Sequence, residues 1–474
     1  MRSGGSPAVT ATRAGRGEAA PGPRCAGRHP PGDAGYPGSV SHPAPASDAD
    51  VRPLVVRTVP VNDPGPLLDL LPAVSPLAWV RRGDGLVGWG EALRVTVGGA
   101  DRFGRAEQAW QHVLRHAVVR DEVGLPGTGP VAFGSFSFAD SSPAGGVLVV
   151  PRVVVGRRGG RSWLTTLTPA GDLGDPPRAG NLPGARDAES EGPGPVVEGT
   201  GALGAEAWCQ VVAGVVEAIR AGELDKVVLA RDVVVTAERP VDPRHLARRL
   251  ADRYATCWTF AVDGLVGATP ELLVRSDKGL VTSRVLAGTV RRTGDDHADM
   301  ARAAMLAQSS KDLEEHEFAV ESVARALEPY CSTTNVPDVP FVLSLPNVLH
   351  LASDVTAVLA APLGDGRHPS SLTLAAALHP TAAVAGTPTD AALAMIARVE
   401  EMDRDRYAGP VGWLGADGDG EWGIALRSGR IDAADPRRIR LFAGCGVVAA
   451  SEPAAELAES EAKLEPMRWA LSGG

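Results

Sequence analysis

The order of the strand-like runs restricts the fold more than any other feature of this chain. From Val51 they come in series: Val51 to Val61, Leu77 to Val80 and Leu86 to Val97 around the turn Arg82-Gly83-Asp84-Gly85, then Val131 to Phe138, and two more between Gly146 and Leu167. One helix, Arg105 to Val119, interrupts them. A second series follows at Lys226 to Val235, Trp258 to Asp263, Glu271 to Arg275, Arg284 to Arg291, Gly409 to Leu414, Gly420 to Arg427 and Ile439 to Gly444. Strands that succeed one another directly are joined by hairpins and pair antiparallel, whereas each parallel neighbour needs a long crossover. The expected class is therefore α+β with mixed or antiparallel sheets, and not a doubly wound parallel sheet.

Helices are expected at Ala205 to Ala221, closed by Gly222, at about Asp295 to Tyr330, and at Ser370 to Leu378, Asp390 to Asp403 and Glu452 to Trp469. Residues 169 to 203 show no sustained period and read as a long surface connection. The chain thus divides into a tail over residues 1–50, a sheet-rich lobe over 51–200 and a second region over 205–470. The tail is rich in Gly, Pro, Ala and Arg and buries too little apolar surface to offset the entropy of ordering it, so it is expected to be disordered. An organelle leader would need an amphipathic period that it lacks.

Composition removes several classes of function. A net charge of -10 argues against a nucleic-acid partner, which calls for a basic face. Any anionic ligand must then meet local positive groups. No run approaches a membrane span, and the N-terminal residues lack a secretory core. Five cysteines without paired spacing form neither a disulfide framework nor a zinc motif, so a reducing cytoplasm is expected.

Two acidic helix segments carry chemistry. In Lys311-Asp312-Leu313-Glu314-Glu315-His316-Glu317, Asp312 and Glu315 share a face, and in the C-terminal helix Glu456, Glu459 and Lys463 do the same. Two such carboxylate pairs suit a hard divalent ion such as magnesium, although Glu-rich stretches are also ordinary solvated faces. Lys226 opens an apolar strand, where partial desolvation favours the neutral amine that can act as a base. Arg427 is expected to share a strand face with Gly423 and Ala425, leaving room for a ligand carboxylate under its guanidinium fork. Ala287-Gly288-Thr289 and Ala443-Gly444-Cys445-Gly446 read as short glycine turns whose N–H groups can approach an anion.

Six segments in this order resemble the chorismate-utilising family: Asp225-Lys226-Val227-Val228-Leu229-Ala230-Arg231, Gly267-Ala268-Thr269-Pro270-Glu271-Leu272-Leu273, Leu286-Ala287-Gly288-Thr289, Lys311-Asp312 with Glu315-His316-Glu317, His379-Pro380-Thr381, and Phe442-Ala443-Gly444-Cys445-Gly446. The resemblance covers residues 205–470 and implies two stacked, mainly antiparallel sheets flanked by helices, with the active site in the cleft between them. It implies Mg2+ held by Glu315 and Glu459, with Asp312 and Glu456 behind them. It further implies Lys226 as general base, Glu271 as general acid, and Gly288, Thr289, His379, Arg427, Gly444 and Lys463 as substrate contacts.

Within that family the chain is most similar to enzymes that turn chorismate into isochorismate by adding water at C2 with loss of the C4 hydroxyl. Ala287 stands where the aminodeoxychorismate branch carries a nucleophilic lysine. Ala385-Gly386-Thr387-Pro388-Thr389 departs from the anthranilate pattern, which also lacks a lysine at the position of Lys226. His379-Pro380-Thr381 resembles the isochorismate branch more than salicylate synthases, which go on to lose pyruvate. An inactive chorismate-binding regulatory paralogue would lack the catalytic residues present here. Water as nucleophile requires no amidotransferase subunit, and the product would serve menaquinone, siderophore or salicylate formation.

Overall fold

The computed structural model describes residues 53–172, 192–361 and 368–472, without the side chains of Lys311 and Glu315. The expected tail and most of the connection after residue 169 lie outside these ranges. The larger sheet has thirteen strands, in the order Val196–Thr200, Lys226–Ala237, Arg438–Val447, Ser428–Ile431, Leu265–Thr269, Trp258–Val262, Leu77–Arg81, Asp84–Trp89, Val153–Arg158, Arg161–Pro169, Leu54–Val61 and Val118–Asp121, with Gly386–Thr387 beside Lys226–Ala237. The smaller has ten, in the order Cys331–Asn335, Val348–Leu359, Leu280–Arg291, Leu272–Asp277, Gly420–Ile424, Pro410–Gly415, Val131–Phe136, Gly146–Val150 and Leu93–Val97, with Phe341–Ser344 on Val348–Leu359. Pairing is antiparallel apart from Leu54–Val61 with Val118–Asp121. The class is α+β, as the succession of strands requires.

Period-two alternation sorts the larger sheet into two faces. Leu77, Trp79, Trp258, Phe260, Trp163 and Leu167 enter a core shared with Phe133, Phe136, Trp413 and Trp422 of the smaller sheet. The intervening Ala78, Val80, Ala261 and Leu164 enter a second core, closed by Leu246 and Leu250 of the helix Pro243–Arg253 and by Leu464, Met467 and Leu471 of the helix Pro453–Leu471. The large aromatics thus fill the space between sheets, and smaller side chains lie beneath the helices. Among the described residues no helix is long and apolar enough to cross a membrane.

Several expected boundaries move. The run Leu86 to Val97 breaks near Gly90, where φ is +68°, and its halves enter different sheets as Asp84–Trp89 and Leu93–Val97. Gly146 to Leu167 holds three strands, the first of them in the smaller sheet. The first helix spans Arg102–His116, and the β-branched Val118 and Val119 pass into a strand. The long helix expected from Asp295 is two, Asp296–Gln308 and Ser310–Leu327. Ser309 between them accepts the N–H of Asp312 and so caps a new N-terminus.

Gly134 shows how tightly the sheets close. It pairs with Gly412, and a Cβ built on it would stand 2.5 Å from the ring of Trp422 and 2.8 Å from Leu148. Trp422 cannot easily yield, because its indole N–H donates to Ser371 Oγ at 3.2 Å. Gly134→Ala should therefore lower unfolding free energy by about 1–3 kcal/mol in chemical denaturation. Gly199→Ala, whose nearest new contact is at 3.6 Å, should leave it nearly unchanged; equal effects would contradict this account of the packing.

Candidate active site

The strand Lys226–Ala237 is paired along its length with Arg438–Val447, which sets Ala230 opposite Gly444 and Val228 opposite Gly446. The segment 443–446 is therefore strand and not the turn its glycines suggested. Those glycines still matter: a Cβ on Gly446 would meet Lys226 Cε at 3.0 Å and Nζ at 3.6 Å, so the lysine chain lies across a bare Cα. Lys226, Val228, Ala230, Gly444 and Gly446 form one wall of a cavity of about 240 Å³. Leu286, Ala287, Gly288, Thr289 and His350 of the smaller sheet line it too, so it draws on both sheets.

Ala287-Gly288-Thr289 is likewise not a turn. In the strand Leu280–Arg291, Ala287 is opposite Leu351 and Thr289 is opposite His350, so Gly288 is an extra, bulged residue with φ +72°. Only glycine takes that conformation without strain, and the fit is close, because a Cβ there would stand 3.2 Å from Asp312 Oδ1. The Ser309 cap begins the helix at that point and brings Asp312 to the cavity. Glu315 is three residues further along the same helix.

His350 was not singled out in the sequence, yet it connects the cavity's polar groups. Its Nδ1 lies 3.0 Å from Thr289 Oγ1 and 3.4 Å from the Gly288 carbonyl, and its Nε2 lies 3.5 Å from Arg427 Nη2. Burial pushes its pKa down to about 3, with Arg427 and Lys463 adding to the effect, so the ring is neutral at pH 7. An arginine can only donate and a carbonyl can only accept, which places the proton on Nδ1 and leaves Nε2 to receive Arg427.

Arg427 is 7% exposed. The strand expected to carry it ends at Ile424, and Arg427 instead sits beyond the strand end with φ +48°. Its carbonyl accepts from Ala268 N at 3.3 Å, which helps hold this uncommon backbone. Among the described residues it enters no ion pair. Glu271 precedes the strand Leu272–Asp277 and is held through its backbone, N–H to Thr269 Oγ1 at 3.2 Å and carbonyl to Ile424 N at 3.2 Å. Burial pushes its carboxyl up to about 8 against the opposing pull of Arg427, Lys463 and Lys226, so it is mostly protonated at pH 7.

Glu456, Glu459 and Lys463 do share one face of the helix Pro453–Leu471 and all reach the cavity. Lys463 Nζ donates to the Gly444 carbonyl at 2.8 Å and pairs with Glu459 Oε1 at 2.6 Å. Burial, and then the neighbouring Glu459 charge, raise Glu456 above the usual carboxylate range, against a hydrogen bond from Ser451. Among the described residues no three His, Cys, Asp or Glu side chains gather as a complete metal site. The donor set is nonetheless all oxygen, with Asp312, Glu456 and Glu459 on one cavity. It fits Mg2+, which takes one or two carboxylates, keeps several waters and accepts a substrate oxygen.

One expected contact is corrected. His379 is not among the residues around the cavity; its Nε2–H donates to the Phe138 carbonyl at 3.0 Å and its ring packs against Phe103 and Phe138. It anchors a segment whose later residues, Ala383 and Val384, do line the cavity. Besides His350, sequence inspection missed Tyr407, which lines the cavity and stacks on Phe442 at 5.2 Å. It also missed Arg404, one of two arginines in the irregular stretch Asp403-Arg404-Asp405-Arg406.

Residues 79–472 match a family described as chorismate binding enzyme. The isochorismate synthase DhbC of Bacillus subtilis is 41% identical over 261 residues, which is 53% of this chain and 64% of that protein. The salicylate biosynthesis isochorismate synthase of Pseudomonas aeruginosa is 35% identical over 420 residues, 84% of each chain. The structure of MenF, the menaquinone-specific isochorismate synthase from Escherichia coli, superposes with a TM-score of 0.73 at 26% identity, covering 89% of this chain and 95% of that one. With the family matched over most of its length and a relative aligned across 84% of it, this chain belongs to the chorismate-binding enzymes.

Proposed function

We propose that the chain is an isochorismate synthase, an isomerase that adds water at C2 of chorismate while the C4 hydroxyl leaves. The carrying observation is that Lys226 and the buried Glu271 meet on one cavity whose bulged wall offers only Ala287 beside Gly288. Ala287 supplies no nucleophile, so water takes that role and no amidotransferase partner is needed. The named relatives support stopping at isochorismate. Cys257 and Cys445 are buried free thiols, in keeping with a reducing cytoplasm.

The substrate carries two carboxylates. Arg427, with its fork steadied by neutral His350, is suited to the enolpyruvyl carboxylate beside Gly444, while Lys463, Gly288 and Thr289 stand on the side suited to the ring carboxylate. As general base, Lys226 takes a proton from the attacking water as oxygen bonds to C2. The ring double bond shifts, and Glu271 gives its proton to the departing C4 hydroxyl, which leaves as water. One water enters and one leaves, and transfer of the proton from Lys226 back to Glu271 through solvent resets the site. Glu459 and Glu315, supported by Asp312 and Glu456, are the residues that would hold Mg2+. When bound, the ion supplies electrostatic stabilisation of charge drawn toward the ring carboxylate.

Purified protein given chorismate and Mg2+ should form isochorismate, and EDTA should stop turnover until Mg2+ is restored. Salicylate with pyruvate as the main products would instead make it a salicylate synthase. Lys226→Ala should lower kcat by about 100-fold or more while chorismate still binds, as read by tryptophan fluorescence; near-normal kcat would remove the lysine from the chemistry. Because Glu271 must carry its proton and loses it near pH 8, kcat/KM should fall as pH rises through about 8. Glu271→Gln should abolish turnover, and an unchanged pH limb in an active Gln variant would assign the limb elsewhere.

A further inference from the structure

The strand Lys226–Ala237 has a complete neighbour on one side only. Arg438–Val447 pairs with it from Val227 to Thr236. On the other side Gly386–Thr387 pairs with Lys226 and Val227, and Val196–Thr200 pairs with Val233 to Ala237. Between them, on that side and among the described residues, no strand pairs with Val228 and Ala230. The Val228 N–H donates to the Ala385 carbonyl at 2.8 Å, and side chains take up the other three groups: Ala230 N donates to Glu400 Oε1 at 2.7 Å, Arg404 Nη2 donates to the Val228 carbonyl at 2.7 Å, and the Trp208 indole donates to the Ala230 carbonyl at 3.3 Å.

Glu400 and Arg404 have side chains 2% and 3% exposed. They bond twice, Arg404 Nε to Glu400 Oε2 at 2.8 Å and Nη2 to Oε1 at 2.5 Å. The remaining Nη1 donates to the Val384 carbonyl at 3.0 Å, and the guanidinium lies 4.2 Å over the Phe138 ring. A single ion pair therefore ties Val228 and Ala230 to Val384, and all three line the cavity together with Lys226. A buried ion pair contributes little stability against apolar residues of the same volume, because desolvation offsets the attraction. What it supplies here is direction: together with Trp208 and the Ala385 carbonyl, the pair completes the hydrogen bonding of a strand edge without placing another strand beside the cavity.

We propose that Glu400 and Arg404 are positioning residues that hold the backbone from Lys226 to Ala230, and through it the Lys226 amine, in line with Glu271 across the cavity. This rests on the role of Lys226 as base. Neither residue needs to touch substrate. Their loss displaces the amine, and a displacement on the order of 1 Å costs about 100-fold in rate while binding groups elsewhere on the cavity are untouched.

The test is steady-state kinetics of the full-length protein with chorismate and Mg2+, with thermal melting beside it. Arg404→Met, which keeps the volume and removes every donor, should lower kcat about 100-fold with KM for chorismate held within about threefold. Arg404→Lys, which can still reach one carbonyl, should recover about tenfold of that loss. If Arg404→Met does not fold, the isosteric Glu400→Gln carries the test, with kcat falling about tenfold at constant KM. A raised KM with unchanged kcat, or a lowered melting temperature with full kcat per folded molecule, overturns the proposal. A wild-type protein that forms no isochorismate, or an active Lys226→Ala, would sink the functional assignment itself. An active wild type and an inert Lys226→Ala beside an unaffected Arg404→Met would sink only the positioning role.

Discussion

The antiparallel pairing of Lys226–Ala237 with Arg438–Val447 is the constraint on which the site depends. It sets the Lys226 chain across Gly446, and it presents the Gly444 carbonyl to Lys463. The next helix then carries Glu456 and Glu459 into the same space. Because side chains alternate along a strand, a one-residue slip in this register would turn the lysine and the glycines to opposite faces. The shared aromatic core behind it, built on Trp79, Phe260 and Trp422, fixes the smaller sheet against the larger. The bulge at Gly288 and the buried Glu271 thereby face the lysine.

Among the described residues, basic and acidic side chains around the cavity are equal in number but not matched in pairs. Lys226, Arg404, Arg427 and Lys463 stand among Glu271, Asp312, Glu456 and Glu459. Arg404 is committed to Glu400, and Lys463 is shared between Glu459 and a carbonyl. Glu271 holds its proton because burial outweighs the cations around it. Of the two arginines on the cavity, Arg427 is then the one that enters no ion pair among the described residues. In a chain of net charge -10 this is the place that offers an anionic ligand local attraction.

Much of this was legible in the sequence, and the failures share a cause. The strand from Lys226 announces itself through an apolar run, and the acidic face of the last helix through its spacing, because both signals are local. Gly288 and Gly444 were read as turns because glycine is a turn residue by default, yet long-range pairing placed one in a bulge and the other inside a ladder. The strand Val348–Leu359 escaped notice because His350, Ser353 and Asp354 break its apolar pattern, and each is satisfied only by a distant partner: Thr289, His316 and Arg284. With it went His350. His379, by contrast, stands out in the sequence beside Pro380 and Thr381, yet its ring anchors this segment to the Phe138 carbonyl.

The bulge at Gly288 also makes chain length a form of information. A strand has a period of two, and one additional residue shifts everything after it by half a period. The shift falls between Ala287, opposite Leu351, and Thr289, opposite His350, in the stretch where Leu286 to Thr289 borders the cavity. Removing any one residue between Leu286 and Thr289 would restore an ideal ladder and dismantle this wall. A more regular sheet here would be a worse one, and the irregularity can be inherited only as a matched set: the extra residue, its glycine, and the helix start that fits against it.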